Sequence, residues 1–305
     1  MLTFRVGRAG PLLLVLLLVP LAFSGGCGEV TSGKKQVVVT TGMIADLVRN
    51  VAGDTVEITQ LMGPGVDPHL FRAKESSIRK LYQADLIFYN GLHLEGKMDR
   101  LLAKNPKARA VSRNIPEELL LEDEGQHDPH IWFDVSLWII ALDTVKDDLI
   151  ALCPEHRELY TKNWRDYRAR LEKLHAWAAE QIGSVPEEQR VMVTAHDAFR
   201  YFGRAYKLEV EGLQGVSTAN QAGLREVQRV VDMLVARRIK AIFVESSVPP
   251  DGVRAVVERC RARGHTVQIA DEELFSDAMG APGTHEGTYV GMIEHNVRLI
   301  VEALK

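Results

Sequence analysis

Cysteine is scarce in this chain of 305 residues, which holds three: Cys27, Cys153 and Cys260. Two cysteines beyond the N-terminal region make no disulfide framework for a chain this long, and they carry no metal-type spacing. Cys153 and Cys260 lie beside helical patterns and are read as buried thiols. A basic excess is missing too. With 37 Lys+Arg against 41 Asp+Glu the formal charge is −4, so there is no electrostatic footprint for nucleic acid. Long apolar runs are also absent. The stretch from Pro11 to Phe23 is shorter than the roughly 20 apolar residues a membrane span needs. No His-Glu-x-x-His helix or Gly-x-Ser-x-Gly elbow supports a hydrolase. No repeat array or low-complexity segment supports an adhesive surface.

What is present at the N-terminus is an export signal. Arg5 and Arg8 precede the apolar run, and Ser24-Gly25-Gly26 leads from its end to Cys27, giving a basic, an apolar and a small-residue region in order. A cysteine at that point resembles the lipobox of bacterial lipoproteins, with Ser24 where an aliphatic residue is usual. The expectation is removal of residues 1–26, acylation of Cys27 and a short polar tether over 27–34. The exported chain then keeps 35 Lys+Arg against 41 Asp+Glu, a formal charge of −6. Its expected place is extracytoplasmic, in the periplasm or at the cell surface, held to the membrane by lipid.

Short β-branched runs recur, each followed by a helix-compatible stretch. Four lie at 36–41, 56–62, 85–89 and 108–112, and four more at 190–194, 208–212, 240–245 and 265–270. Strands alternating with amphipathic helices indicate an α/β protein with mainly parallel sheets. Two sets of four imply two (βα)4 lobes, over 35–153 and 185–305. Between them, Tyr160, Trp164, Tyr167, Leu171, Leu174, Ala178 and Ile182 fall at steps of three and four. The spacing predicts one helix over 154–184 with a single apolar stripe. Pro154 suits its first position and Gly183 its end. At 1.5 Å per residue it would run about 43 Å, long enough to brace both lobes.

Of the ten histidines, His93, His127, His156, His175, His265, His285 and His295 read as surface or packing residues. Three others sit differently. His69 follows the strand ending at Met62, and His196 follows the strand ending at Thr194. In open α/β sheets, ligands bind beyond the carboxyl ends of the strands. His130 ends His127-Asp-Pro-His130, repeating the Asp-Pro-His that carries His69, and proline restrains both presenting loops. Three imidazoles suit a transition metal. A fourth ligand could come from Asp271, Glu272, Glu273 or Asp277, which all follow the last strand, and spacing does not choose among them. An organic solute would instead require a roomy apolar pocket. Asp67, Asp128, Asp134 and Asp197 are candidates to hold the imidazoles or to cap turns. Glu245 ends a strand facing the same crevice and receives no ligand role.

The chain resembles the metal-binding receptors of zinc and manganese ABC importers, the cluster A-I or TroA/ZnuA-like proteins. The resemblance rests on Val66-Asp-Pro-His-Leu70, Tyr89-Asn-Gly-Leu92 with Leu94-Glu-Gly96, Asp128-Pro-His-Ile-Trp-Phe-Asp134, Thr194-Ala-His-Asp-Ala-Phe199 with Tyr201-Phe202, Leu274-Phe-Ser-Asp-Ala-Met-Gly280 and Gly283-Thr-His-Glu-Gly-Thr-Tyr-Val-Gly-Met292. It implies two similar lobes joined by one rigid helix, with the ion between them. The implied ligands are His69, His130, His196 and Asp277, and the implied partner is a membrane permease. A monomer without enzymatic activity is expected. Zinc-specific relatives often carry a long His/Asp-rich loop before the second ligand, where this chain has only Glu122 to His127. Manganese-specific relatives commonly have Glu at the third ligand, where this chain has His196. The pattern is nearest the TroA type. Three imidazoles and one carboxylate favour Zn²⁺, with Mn²⁺ as the alternative cargo. Because bound imidazoles must be deprotonated, affinity is expected to fall below about pH 6, near the free histidine pKa.

Overall fold

Val37, Val38 and Val39 are all buried, yet on two different sides of one sheet. Val37 and Val39 enter a large core, and Val38 enters a smaller one with Leu81, Ile87 and Leu102. This is the two-residue alternation of a strand covered on both faces. In the computed structural model, residues 1–4, 7, 33–123 and 125–305 are described. Lys34–Lys305 forms one compact unit. The apolar part of the export signal, Cys27 and most of the tether lie outside the described residues. Among the described residues, no helix is long and apolar enough to cross a membrane.

The first lobe runs β1 (Lys35–Val39), α1 (Gly42–Ala52), β2 (Val56–Gln60), α2 (Glu75–Gln83), β3 (Leu86–Tyr89), α3 (Asp99–Ala103) and β4 (Ala108–Ala110). All pairings are parallel, in the order β2-β1-β3-β4. A small antiparallel hairpin, β5 (Glu122–Asp123) and β6 (Gln126–His127), follows. Then come α4 (Val135–Leu152) and α5 (Arg157–Gly183), the latter preceded by a 3₁₀ turn at Pro154–His156.

The second lobe holds β7 (Val191–His196), α6 (Arg200–Tyr206), β8 (Glu209–Gln214), α7 (Leu224–Arg237), β9 (Ala241–Ile242), α8 (Asp251–Ala262), β10 (Gln268–Ile269) and α9 (Tyr289–Leu304). β7 pairs with β8 and β9 with β10, all parallel. The two pairs are joined where Phe243 N donates to Val193 O at 2.8 Å. The order β8-β7-β9-β10 therefore repeats that of the first lobe.

The eight parallel strands stand where the β-branched runs predict them, with β1, β2 and β4 ending two residues early, β7 and β8 two residues late, and β9 and β10 cut to two residues each. α4 has no counterpart in the periodicity. Its buried residues, from Val135 through Trp138 and Leu142 to Ile150, occupy most of its circumference, so no single apolar stripe marks it. α5 spans 27 residues, about 40 Å, and begins at Arg157 because Pro154–His156 turns as 3₁₀. Tyr160, Tyr167, Leu171, Leu174, Ala178 and Ile182 are buried as the stripe requires. Trp164 is only partly buried, packed at the stripe's edge with its indole N–H donating to Asp143 Oδ1 at 2.6 Å. Residues of α1, α4, α5, α6 and α9 belong to one core that also takes side chains from both sheets. That shared core makes α5 a brace between lobes. Cys153 and Cys260 are buried free thiols.

Candidate metal centre

Both sheets present the carboxyl ends of their strands to the crevice between the lobes. His69 lies in the loop after β2, where Asp67 Oδ1 accepts from the His69 backbone N–H at 2.8 Å. His130 precedes the 3₁₀ turn Ile131–Phe133. His196 is the last residue of β7 itself, which runs two residues past the Thr194 end that the sequence pattern gives it. Asp277 follows the parallel bridge between Glu245 and Leu274. Asp271, Glu272 and Glu273 are exposed, whereas Asp277 is 2% exposed.

The structure brings His69, His130, His196 and Asp277 together, all buried, with ligand atoms within 4.8 Å of one another. His69 Nε2 stands 3.3 Å from His130 Nε2. Asp277 Oδ1 is 3.3 Å from His130 Nε2, and Asp277 Oδ2 is 3.3 Å from His196 Nε2 and 3.8 Å from His69 Nε2. Bonds of 2.0–2.1 Å at tetrahedral angles put neighbouring ligand atoms about 3.3 Å apart. The spacing is thus that of a cage around a small cation. Neither Asp277 oxygen nor His196 Nε2 has a hydrogen-bond partner among the described residues, a costly state for buried polar atoms unless a cation meets them.

Carboxylates behind the rings set which nitrogen faces inward. His130 Nδ1–H donates to Asp128 Oδ1 at 2.7 Å, and the same oxygen accepts from the His130 backbone N–H at 3.0 Å. His196 Nδ1–H donates to Glu245 Oε2 at 2.5 Å, and Oε1 accepts from the His196 backbone N–H at 2.9 Å. With the proton held at Nδ1, the Nε2 lone pair is left for the centre. Asp128 therefore serves an imidazole, as the sequence allowed. Asp134 is a helix cap, accepting from Ser136 N at 3.0 Å. Asp67 holds a loop amide, and Asp197 lies 3.7 Å from Arg200 without touching a ligand ring. Glu245, which the sequence sets at a strand end facing the crevice with no ligand role, is not among the four and instead orients His196. That strand-end position was the available signal.

Further from the centre, Glu95 ties the strand ends of the first lobe. It accepts from Thr40 Oγ1 and Asn90 N at 2.7 Å each. Asn90 Nδ2 in turn donates to Pro129 O at 2.9 Å, directly before His130. Burial pushes the Glu95 carboxyl up to about 7 against those donors. Burial likewise raises Asp197 to about 7, with Arg200 pulling it back down.

The ligand groups themselves diverge. Burial drives His69 down to about 3, although the Asp277 carboxylate opposes this. Burial also opposes protonation of His130, but Asp128 and then Asp277 outweigh it and raise that imidazole to about 9. His196 moves up in the same way, with Glu245 and Asp277 overcoming burial. Asp277 is held well below the usual carboxylate range, since His196 and His130 outweigh its burial. Without a metal, protons on imidazoles balance the acids.

The remaining histidines have other partners. His175 meets Tyr206 at 3.1 Å, His93 meets Asp99 at 2.6 Å, His265 donates to Ile239 O at 2.7 Å and His285 meets Glu294 at 2.9 Å. His295 donates to Glu273 O at 3.0 Å, and His156 packs on the Tyr160 ring. His127 lies 3.9 Å from Glu117.

Glu245→Gln is expected to weaken metal binding by about 10–100-fold, the usual cost of removing a carboxylate behind a ligating imidazole. A chelator-competition titration measures it, and an unchanged affinity would show that Glu245 does not orient His196.

The sequence profile described as zinc-uptake complex component A, periplasmic, matches residues 37–303. The chain is 47% identical over 290 residues to the manganese-binding lipoprotein MntA of Bacillus subtilis, covering 92% of this chain and 94% of that one. It is 48% identical over 284 residues to the zinc-binding protein TroA of Treponema pallidum, covering 92% of each. The solved structure of the periplasmic zinc-binding protein TroA from Treponema pallidum superposes with a TM-score of 0.88 at 49% identity, over 89% of this chain and 99% of that one. With a profile match across both lobes and the centre between them, the chain belongs to the periplasmic zinc-uptake component A family.

Proposed function

We propose that this protein is the extracytoplasmic receptor of an ABC importer, binding one transition-metal ion at His69, His130, His196 and Asp277 and delivering it to a membrane permease. The observation that carries the reading is the set of four buried residues whose ligand atoms lie within 4.8 Å of one another, two of the imidazoles oriented by acids. Four protein ligands close a zinc shell, whereas a catalytic zinc keeps a position for water. The receptor is anchored through acylated Cys27 and acts as a monomer. Among its relatives, one is named a manganese-binding lipoprotein and another a manganese ABC transporter substrate-binding lipoprotein.

Zinc is the proposed cargo, because three imidazoles with one carboxylate, at separations of 3.3 to 3.8 Å, suit a four-coordinate Zn²⁺. One observation favours manganese as the second reading. Both Asp277 oxygens face the centre, so a bidentate carboxylate could raise the coordination number, and a relative at 47% identity is named for manganese.

Elemental analysis of protein purified without added metal tests the assignment. About one equivalent of zinc is expected; about one of manganese selects the second reading, and no bound transition metal overturns both.

A further inference from the structure

Resting on that reading, the hydrogen bonds between lobes divide into two unequal groups. On one side the segment carrying His130 is tied firmly to the second lobe. Tyr201 OH accepts from Leu121 N at 2.9 Å and donates to Asp128 O at 3.0 Å. Tyr289 OH donates to Trp132 O at 2.6 Å, and Trp132 Nε1–H donates to Ser276 O at 3.1 Å. His130, His196 and Asp277 thus sit on segments bonded to one another through buried aromatic side chains.

The loop carrying His69 is held differently. Among the described residues, one hydrogen bond joins it to the second lobe: Thr218 Oγ1–H donates to Asp67 Oδ2 at 2.6 Å. The other oxygen of the same carboxylate accepts from the His69 backbone N–H. Asp67 therefore faces two ways, its one oxygen holding a ligand's backbone and its other gripping the opposite lobe. Thr218 is 7% exposed, and its loop leaves β8 at Gln214, the residue paired with His196. That loop is kept close to the β7 end, where Asp197 N donates to Gly215 O at 3.4 Å. Nearby, a Cβ at Gly212 would come within 2.6 Å of Asp197 N, so glycine permits the approach.

Along the loop that carries Thr218 lies a groove of about 790 Å³. His69 lines it, with Pro129, Gln214, Val216, Ser217 and Ala219. Of the four ligand residues, His69 alone borders this groove. Separating the Asp67 and Thr218 loops would widen the groove toward the metal, while the aromatic ties keep the other three ligands in place.

We infer that the Asp67–Thr218 hydrogen bond is a latch, with Thr218 a positioning residue that sets how long the metal stays bound. The hydroxyl donates to a partly buried carboxylate in the closed form and must let go before the His69 loop can leave. A contact made across the closing surface acts chiefly on the dissociation rate, as most differences within one binding site do. A hydrogen bond to a charged acceptor of this burial corresponds to roughly tenfold or somewhat more in that rate.

The test is stopped-flow release of Zn²⁺ into excess chelator, with Thr218→Val and Thr218→Ser beside the unchanged protein. Zinc content by elemental analysis accompanies each. Thr218→Val is expected to hold one equivalent, release it about tenfold faster and bind it at an unaltered association rate. Thr218→Ser, which keeps the donor, is expected to release at the original rate. Equal release from Thr218→Val and the unchanged protein overturns the latch, as does equally fast release from Thr218→Ser. A slower association matching the affinity loss overturns it too, because that is the mark of a damaged site. If the unchanged protein holds no zinc or manganese, the receptor reading itself falls.

Discussion

Asp277→Ala is expected to lower metal affinity about a hundredfold and to leave the purified protein with well under one equivalent. Structural zinc sites with four ligands bind with about 10–16 kcal/mol at pH 7, so one ligand of four accounts for roughly 3 kcal/mol, or about two decades. Asp277 is the only acid among the four, and its loss removes the charge that neutralises a divalent ion most directly. Its side chain makes no hydrogen bond among the described residues, so the fold does not depend on it as a scaffold. Isothermal titration with competing chelator measures the change, and circular dichroism verifies that the variant is folded. A folded variant binding one equivalent with undiminished affinity would remove Asp277 from the site.

The second large effect is expected with pH. His130 is raised to about 9, with burial outweighed by Asp128 and Asp277, and His196 moves in the same direction. The metal must displace any proton on these imidazoles. Affinity is therefore greatest above about pH 9 and falls as pH decreases through neutrality, by up to tenfold per pH unit for each proton displaced. His69, driven down to about 3 by burial, adds a further loss only in strong acid. Free histidine would place the whole decline below about pH 6; the buried carboxylates shift its onset upward. Calorimetry at pH 7 in buffers of differing ionisation enthalpy should show one to two protons released per metal. Binding with no proton release, and with equal affinity at pH 6 and pH 8, would contradict this account.

Much of the fold is legible because it is written in local patterns. Val37-Val38-Val39 alternates between two cores, and the α5 stripe from Tyr160 to Ile182 follows helical spacing. α4 escapes because a helix buried on most sides has no polar face to mark its period. β9 and β10 shrink to two residues each, since only there do the chains meet in ladder geometry; the β9 run continues as buried chain to Glu245, whereas of the β10 run only Val267 is buried. Within the centre, Asp128 is readable beside His130, being two residues away. Glu245 is 49 residues from His196, and its role depends on β7 and β9 lying side by side. Thr218 is 151 residues from Asp67, and nothing in either neighbourhood announces the other.

The sequence alone carries an expected export signal before Cys27, the two runs of alternating strands and helices, two histidines set after strand ends and a third on a repeated Asp-Pro-His. These depend on periodicity and on the chemistry of adjacent residues, which survive without knowledge of the fold. For the fourth site residue it offered four acids, and a resemblance named Asp277. Only the tertiary structure set Asp277 inside and Asp271, Glu272 and Glu273 outside, oriented His196 with Glu245, and moved His69 and His130 to opposite sides of the ordinary histidine pKa. Those outcomes depend on burial and on charges brought close by the sheet order, quantities that exist only once the two lobes have closed on one another.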